Sequence, residues 1–312
     1  MMDAPRHVPV LLDECIESLA VKPDGIYVDG TLGLGGHSYE IAKRLTHGRL
    51  IGIDRDAGAI ERAGKRLSEF GDKITLVHGN FSDTAAILDS LGIDAADGML
   101  FDLGVSSPQL DEAQRGFSYM NDAPLDMRMD QSAPVTAYSV VNEWSAARLE
   151  RIFRDYGEER YARRISAAIA ARRAEKPIAT TFELVDIIKG ALPAAALREK
   201  QHPAKRCFQA IRIAVNDELG AIAALMETAP DKLKVGGRLC VISFHSLEDR
   251  IVKSGIAVRE NGCTCPREAP ICTCGFKKTL KSVCRKPILP SADEIERNPR
   301  SRSAKLRVAE RV

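Results

Sequence analysis

The chain has 312 residues, of which 45% are hydrophobic and 28% are charged, with a net charge of +2. These proportions suit a globular enzyme, and the single Trp argues against a binding module built mainly on aromatic stacking. No apolar run reaches the roughly 18 residues of a membrane-spanning helix, and residues 1–7 lack the apolar core of a signal peptide. We therefore expect a cytoplasmic protein without membrane association.

Short apolar strands alternate with amphipathic helices in the first hundred residues. The predicted elements are, in chain order, helix 8–19, strand 26–29, a helix with Ile41, Ala42 and Leu45 inward, strand 50–54, helix 57–70, strand 74–78, helix 82–91 and strand 98–102. Strands that alternate with helices form βαβ units and a parallel sheet. This part of the chain is therefore predicted to be an α/β fold.

The alternation stops after residue 102. Residues 108–230 offer no good strand, and helices are predicted over 161–175, 182–192 and 204–228. A strand is predicted again at 237–244, and a final hairpin pairs 283–289 with 306–309. The sequence thus predicts one domain over 1–109 and 206–312, interrupted by an inserted helical domain over 110–205.

A glycine-rich turn follows the first predicted strand. Residues 29–38 read Asp-Gly-Thr-Leu-Gly-Leu-Gly-Gly-His-Ser, and a helix is predicted to begin near Ser38. Glycines let the backbone approach a ligand closely, and a helix start offers N–H groups and the positive end of a dipole. We expect Gly33, Gly35 and Gly36 to cradle a nucleotide-like cofactor at the carboxyl end of this strand.

Side chains at the next strand ends narrow the choice of cofactor. Asp29 ends the first strand, as an acid commonly does in S-adenosylmethionine enzymes, whereas a carboxylate would not help to bind the pyrophosphate of a dinucleotide. Asp54 ends the second strand, where a carboxylate accepts hydrogen bonds from ribose hydroxyls. Phe81 follows the third strand, where a ring can pack on adenine. The alternatives are helix capping by the acids and a core position for Phe81.

The fourth strand ends in Asp102, followed by Ser-Ser-Pro-Gln at 106–109. Asp102 is expected to bind the ammonium of the methionine moiety through a charge-assisted hydrogen bond. Ser106 and Ser107 are expected to accept the N–H groups of an exocyclic amine, because its lone pair is delocalised into the ring. The run is similar to the loop of amino-methyltransferases, with Gln109 replacing the second proline; a simple turn is the alternative. No Pro-Cys dipeptide is present, which disfavours thiolate-dependent methylation of a pyrimidine C5.

The sequence resembles the ribosomal RNA small-subunit methyltransferase H family, also called MraW. The matching stretches span almost the whole chain and are residues 10–14, 29–31, 35–37, 53–56, 102–111, 115–118, 124–129, 156–160, 202–204, 208–210, 243–250 and 298–300. The Asp-Gly-Thr at 29–31 matches the pattern of this family, although Thr31 replaces the first glycine of a common methyltransferase turn.

The resemblance implies S-adenosylmethionine-dependent methylation of N4 of one cytidine, cytidine 1402, in the 16S rRNA of the 30S subunit. It implies a Rossmann-like methyltransferase sheet with an inserted all-helical substrate-recognition domain, and an rRNA partner rather than DNA. The cofactor-binding residues that it implies are Gly35, Gly36, His37, Asp54, Phe81, Asp102 and Gln109.

Several polar residues are candidates for substrate contact. Lys205, Gln209 and Arg212 share one face of the predicted helix 204–228 and are expected to contact rRNA, although a solvated face fits equally well. His245 follows the strand at 237–244 and is expected to orient the target base or to accept its proton, with a structural role as the alternative. Residues 261–312 carry 12 Lys and Arg against 5 Asp and Glu, a net +7 that favours an anionic partner such as RNA.

Four cysteines lie close together in the sequence, at Cys263, Cys265, Cys272 and Cys274. Four thiolates can hold zinc tetrahedrally, but structural sites usually place two or more residues between paired cysteines. A loop of reduced thiols is therefore favoured over a metal site. Disulfides are not expected, because disulfide frameworks belong to short secreted chains.

Three other functions remain open at this point. A nicotinamide-dependent oxidoreductase could use the same glycine-rich turn. A non-catalytic RNA-binding or assembly factor could retain the same fold without the reaction. A DNA amino-methyltransferase would differ only in its substrate.

Overall fold

A computed structural model describes residues 9–266 and 273–312. The chain forms two compact units. The first takes the chain up to Gly104 together with Leu219–Val312, and the second takes Val105–Glu218. The functional division predicted at residues 110 and 205 stays a prediction. Within the described ranges, no helix is both long enough and apolar enough to cross a bilayer.

The first unit is built on a seven-stranded sheet. Its strands are β1 Ile26–Asp29, β2 Arg49–Asp54, β3 Ile74–His78, β4 Ala96–Asp102, β5 Leu233–Ser243, β6 Leu280–Ser282 and β7 Lys305–Arg311. Their order is β3-β2-β1-β4-β5-β7-β6. The first five are parallel, and β7 is antiparallel to both β5 and β6. The strand order reverses between β1 and β4, and ligands of such sheets bind beyond the carboxyl ends of the strands at that point.

Both faces of this sheet are buried, as expected for parallel strands. Successive residues of a strand enter different cores: Tyr27 and Leu50 pack on one side, and Val28 and Ile51 pack on the other. The predicted Rossmann-like α/β fold is therefore confirmed, and all four strands predicted in the first hundred residues are present.

Helices cover the sheet and make up the second unit. In the described part of the chain they are α1 Leu12–Leu19, α2 Gly36–Ala42, α3 Ala57–Leu67, α4 Thr84–Ser90, α5 Ser107–Asp111, α6 Ala137–Glu143, α7 Ala146–Asp155, α8 Ala162–Glu175, α9 Thr181–Ala191, α10 Ala194–Leu197, α11 Lys205–Asn216, α12 Glu218–Thr228, α13 Ser246–Asn261 and α14 Ala292–Arg297. The first helix begins at Leu12 rather than at residue 8, because Leu11 is left-handed with a φ of 51°.

The second unit is helical, and its core runs through α6, α7, α8, α9 and α11. Asn216 pins this core to the preceding loop: its Oδ1 accepts the N–H of Met129 at 2.8 Å, and its Nδ2 donates to the carbonyl of Met127 at 2.8 Å. This buried amide therefore has a structural role in the helical unit.

The single helix predicted over 204–228 is wrong. Asp217 adopts a φ of 47° and ends α11, and α12 begins at the next residue. Asn and Asp tolerate this left-handed conformation better than most residues. The helix therefore breaks at a position where the sequence has neither a glycine nor a proline that would predict it. The division between the two units falls at the same place.

The prediction of the final hairpin is partly wrong. The hairpin partner of β7, on the side away from β5, is β6, which ends before the predicted segment 283–289. From that segment, Ile288 forms an isolated bridge to Leu306. Pro287 and Pro290 flank Ile288 and lack N–H groups, so they cannot extend the ladder.

Candidate cofactor site

The turn after β1 is hydrogen-bonded to both neighbouring strands. The N–H of Gly30 donates to the carbonyl of Leu100 at 2.9 Å, and the N–H of Leu32 donates to that of Ile53 at 3.0 Å. These bonds continue the ladders to β4 and β2 beyond the end of β1. The turn is therefore held at the point where the strand order reverses.

The three glycines of the predicted cradle serve different purposes. Gly33 has a φ of +51°, and a Cβ there would have no atom nearer than 3.8 Å, so open space lies beside it. Gly35 has a φ of +70° and precedes α2. A Cβ at Gly36 would lie 2.3 Å from Cγ of Pro9, so Gly36 allows a close approach of the chain itself. Of the three, Gly33 best fits a ligand-facing role.

Asp29 is buried at the end of β1. Its carboxylate accepts the hydroxyl of Ser38 at 2.7 Å and the N–H of Thr31 at 3.2 Å. Burial raises the pKa of Asp29 to about 6, the Ser38 hydrogen bond opposes the rise, and the nearby carboxylate of Asp54 adds to it. Asp29 therefore ties the turn to the first turn of α2.

Asp54 ends β2 and holds the other side of the turn. It accepts the N–H of Gly33 at 2.7 Å through one oxygen and that of Asp56 at 2.8 Å through the other. Burial raises the pKa of Asp54, and these two hydrogen bonds oppose the rise. A carboxylate has about four acceptor positions, so Asp54 keeps capacity for the hydroxyls of a ribose.

Asp102 ends β4 and carries the most unusual group of the site. Its N–H donates to Oγ1 of Thr31 at 2.5 Å, which explains why a threonine suits that position of the turn. Its Oδ1 is buried and has no hydrogen-bond partner within the described residues. Burial, together with the nearby carboxylates of Asp29 and Glu248, raises the pKa of Asp102 to about 8. Buried polar atoms without a partner are rare, and a cationic group would supply the hydrogen bonds that this oxygen lacks.

The carboxylates at these strand ends favour a positively charged ligand. Asp29, Asp54 and Asp102 end three adjacent strands, and burial raises the pKa of each. Asp54 raises the pKa of Asp29 further, and Asp29 adds to the rise at Asp102. Such a site repels the pyrophosphate of a dinucleotide and attracts a cation. This electrostatic pattern argues against the nicotinamide-dependent alternative.

The structure gives His37 and Phe81 different environments. His37 is buried, and its Nε2 lies 3.1 Å from the carbonyl of Val10. Phe81 is partly exposed and meets Phe101 edge to face, with ring centroids 6.2 Å apart. A ring at this position can pack on a ligand with one face while the other contacts the sheet. Both cofactor contacts stay predictions.

The loop after β5 contains a residue that the sequence analysis missed. Glu248 is fully buried, and its Oε2 accepts the N–H of Phe244 at 2.7 Å and that of His245 at 3.2 Å. Its Oε1 lies 3.2 Å from Nε2 of His245. The signal was the His-Ser-Leu-Glu spacing, which is that of a capping box at a helix start. Glu248 therefore fixes the backbone of His245 through its carboxylate, and its own N–H donates to Nδ1 of the His245 ring at 3.5 Å.

Three predicted residues belong to the helical unit rather than to the sheet unit. Ser106, Ser107 and Gln109 build the start of α5, where Oε1 of Gln109 accepts the N–H of Ser106 at 3.0 Å. Gln109 is buried. The amide thus has a capping role, and the predicted roles of the three residues in binding cofactor and amine stay predictions.

The predicted substrate residues of α11 divide into two kinds. Arg212 forms two hydrogen bonds of 2.8 Å with the carboxylate of Glu218, and Nε2 of Gln209 donates to the carbonyl of Tyr156 at 3.1 Å. Lys205 is exposed at the start of the helix. The structure therefore assigns Arg212 and Gln209 internal contacts and leaves Lys205 at the surface of the unit.

A cavity of about 640 Å³ in the helical unit was not predicted. Trp144 and Arg148 line it, and the guanidinium carbon of Arg148 lies 3.2 Å from the centre of the indole ring. Stacked aromatic and guanidinium planes are surfaces on which bases of single-stranded RNA stack. The sequence signal for this cavity was the single Trp of the chain, which lies within a segment rich in arginine.

Comparison with known proteins identifies the family of this chain: the family model described as the MraW methylase family matches residues 4–312. The chain belongs to this family. The resemblance inferred from the sequence is therefore confirmed, and the protein is a methylase.

Two curated relatives are each named ribosomal RNA small subunit methyltransferase H. The relative from Symbiobacterium thermophilum is 55% identical over 303 residues, covering 97% of this chain and 95% of its own. The relative from Brevibacillus brevis is 55% identical over 308 residues, covering 98% of each chain. Among solved structures, an rRNA methylase from Streptococcus thermophilus covers 100% of this chain and 99% of its own, at 12% identity and a TM-score of 0.42. That distant likeness carries no functional argument.

The cofactor of this family is S-adenosylmethionine. Three features of the sheet unit fit it. The unpartnered Oδ1 of Asp102 suits an ammonium, the remaining acceptor positions of Asp54 suit ribose hydroxyls, and open space lies beside Gly33. The charge of the site also suits a sulfonium cation.

Proposed function

We propose that this methylase modifies N4 of a cytidine in the 16S rRNA of the small ribosomal subunit, at position 1402. The observation that carries the chemistry is the buried, unpartnered carboxylate oxygen of Asp102 beside the turn after β1. The names of the relatives support the choice of small-subunit rRNA. The basic C-terminal segment supports an anionic substrate.

Residues at three strand ends of the sheet unit would hold the cofactor. S-adenosylmethionine supplies an electrophilic methyl group when it is bound. Asp102 would bind its ammonium, Asp54 its ribose, and Phe81 would pack on its adenine. We assign Gly33 the clearance that lets the backbone approach the cofactor.

The acceptor would be an exocyclic amine, which must lose a proton when it gains a methyl group. Ser106 and Ser107 would accept its N–H groups and direct its lone pair. His245 would accept the released proton, and the carboxylate of Glu248 at 3.2 Å from its Nε2 would stabilise the imidazolium. The absence of a Pro-Cys dipeptide favours this direct transfer over a covalent route to C5.

The helical unit would bind the rRNA around the target. Trp144 and Arg148 offer a stacking surface, and Lys205 offers an exposed charge. The target cytidine would be turned out of any stack, because its amine must meet the methyl group in line. Binding should therefore weaken as the salt concentration rises.

Mass mapping of the modified nucleoside tests this function. Small subunits from cells that lack the modification are incubated with the protein and methyl-labelled S-adenosylmethionine, and the rRNA is digested and mapped. The expected product is N4-methylcytidine at one site of 16S rRNA. Label at C5, at another base or in added DNA would contradict the proposal.

Two further results would favour the rival functions. Thermal protection by NADH and not by S-adenosylmethionine would support an oxidoreductase. RNA binding that is unchanged in Asp102→Ala, together with no methyl incorporation by the native protein, would support a binding factor.

Substitutions in α11 should separate substrate contact from internal structure. Lys205→Gln is expected to weaken RNA binding and to lower the salt dependence of log K by about one unit, with stability unchanged. Arg212→Gln is expected to lower the free energy of unfolding by about 1–3 kcal/mol, because it leaves the carboxylate of Glu218 buried without its guanidinium. Filter binding at several salt concentrations and denaturant titration measure the two effects. Equal RNA affinity of Lys205→Gln and native protein would remove Lys205 from the substrate surface.

A further inference from the structure

Three cysteines that the methyl-transfer chemistry does not use come together after α13. The sulfur atoms of Cys263, Cys265 and Cys274 all lie within 4.8 Å of one another. Those of Cys263 and Cys274 are 3.6 Å apart. The edge of a tetrahedron of sulfur atoms around Zn²⁺ is about 3.8 Å, given a Zn–S bond of about 2.3 Å. The spacing of Cys263 and Cys274 is therefore close to that of two ligands of one zinc ion, with the third sulfur nearby.

The one-residue spacing of Cys263 and Cys265 is compatible with such a site. In an extended segment, residues i and i+2 point to the same side, so both sulfurs can face one ion. The structure places the sulfurs of Cys263 and Cys265 within 4.8 Å of each other, and that of Cys274 within the same distance of both. The Cys-x-Cys spacing therefore does not exclude a metal, although it had favoured a simple thiol loop in the sequence analysis.

Both ends of this loop are fixed to packed elements. Glu260, near the end of α13, accepts the N–H and the hydroxyl of Ser282 in β6 at 3.2 and 2.5 Å, and its other oxygen lies 3.3 Å from Nζ of Lys278. Thr279 donates to the carbonyl of Arg259 at 3.0 Å. The two ends of the loop that carries the thiols are thus held in place before an ion binds, which lowers the entropy cost of binding.

One of the three sulfurs also accepts a hydrogen bond from the loop. The N–H of Thr273 donates to Sγ of Cys265 at 3.3 Å, and Oγ1 of the same threonine lies 3.7 Å from this sulfur. Outer hydrogen bonds of this kind orient metal ligands and tune their basicity.

We propose that Cys263, Cys265 and Cys274 bind one Zn²⁺ ion, which clasps the loop between α13 and β6. The thiols lose their protons to solvent on binding, so zinc affinity should fall as the pH falls. Cys272 lies outside the described residues. The ion would have a structural role and would not take part in methyl transfer.

Metal analysis of the full-length protein tests the proposal. The protein is purified under reducing conditions from zinc-supplemented medium, and bound metal is measured by mass spectrometry. About one zinc per chain is expected. In a second experiment, Co²⁺ is added to the reduced, metal-free protein. A sulfur-to-cobalt charge-transfer band and intense visible bands of tetrahedral cobalt should appear and saturate at about one equivalent.

Serine variants provide the control. Cys263→Ser, Cys265→Ser and Cys274→Ser should each weaken zinc binding more than about tenfold. Cys284→Ser should leave zinc affinity unchanged, because Cys284 is exposed and lies outside the cluster. Removal of zinc by a chelator should lower the melting temperature of the native protein and not that of Cys274→Ser. A protein without zinc that also fails to bind Co²⁺ would overturn the proposal, as would a Cys263–Cys274 disulfide or iron in place of zinc.

Discussion

Asp102→Asn is expected to weaken binding of S-adenosylmethionine by roughly 10- to 100-fold at pH 8, which corresponds to the loss of a charge-assisted hydrogen bond. The same substitution should stabilise the cofactor-free protein. Both effects have one cause, namely a carboxylate oxygen that is buried without a partner until a cation arrives. Asparagine keeps the shape of the side chain and removes its charge.

The pH dependence of stability follows from the raised pKa of Asp102. That pKa is about 8 in the folded protein, against about 3.9 in an unfolded chain. Between these values the folded state holds the extra proton, so native stability falls as the pH rises, by up to about 1.4 kcal/mol per pH unit. Asp102→Asn does not lose stability in this way. The difference between its free energy of unfolding and that of the native protein should therefore grow up to about pH 8 and then level off.

Cofactor affinity should change with pH in the opposite sense. Below about pH 8 the carboxyl of Asp102 is protonated and must release its proton to bind an ammonium. Affinity of the native protein should therefore fall from pH 8 to pH 6 by up to about tenfold per unit, and calorimetry should detect proton release on binding. In Asp102→Asn both signatures should disappear.

Asp72→Asn is the matched control for these measurements, since Asp72 is an exposed carboxylate of the same unit. It should leave cofactor affinity and its pH dependence unchanged. Denaturant titration between pH 5 and pH 9 and calorimetry in buffers of different ionisation enthalpy give the two readouts. Cofactor affinity of Asp102→Asn equal to that of the native protein would remove Asp102 from the ammonium site.

Alanine at Gly33 should mainly weaken cofactor binding, whereas alanine at Gly36 should mainly lower the stability of the protein. Gly33→Ala places a Cβ in the open space beside the turn, so we expect at least about tenfold weaker cofactor binding, with about 1 kcal/mol lost from stability because φ is +51°. Gly36→Ala brings a Cβ to 2.3 Å from Pro9. It should lower the free energy of unfolding by about 1–3 kcal/mol through overpacking.

Measuring both quantities for both variants distinguishes ligand contact from folding. Gly190→Ala is the control, because Gly190 lies in α9 with nothing within 4 Å of its Cβ position. It should stabilise the helix by about 0.5–1 kcal/mol and leave cofactor affinity unchanged. If Gly33→Ala binds the cofactor as tightly as the native protein, the ligand lies elsewhere along the turn.

The sheet and its strand-end acids were predictable because their signals are local. Alternation of apolar strands with helices, and acids directly after them, depend only on neighbouring residues. The bond from the N–H of Asp102 to Thr31 was not predictable, since it joins groups 71 positions apart. The break at Asp217 was missed because an aspartate can adopt either helical or left-handed backbone. Glu248 was missed because His245 was considered alone, without the acid three positions after it that completes a capping box.

The placement of β7 has a consequence for the order of folding. β7 lies inside the sheet, between β5 and β6, although β5 ends at Ser243 and β7 begins only at Lys305. Pairs of strands that are distant in the sequence form slowly, because the intervening chain must be brought together before the contacts are made. We therefore expect the pairing of β5 with β7 to be a late step of folding, with the edge of β5 exposed until it occurs.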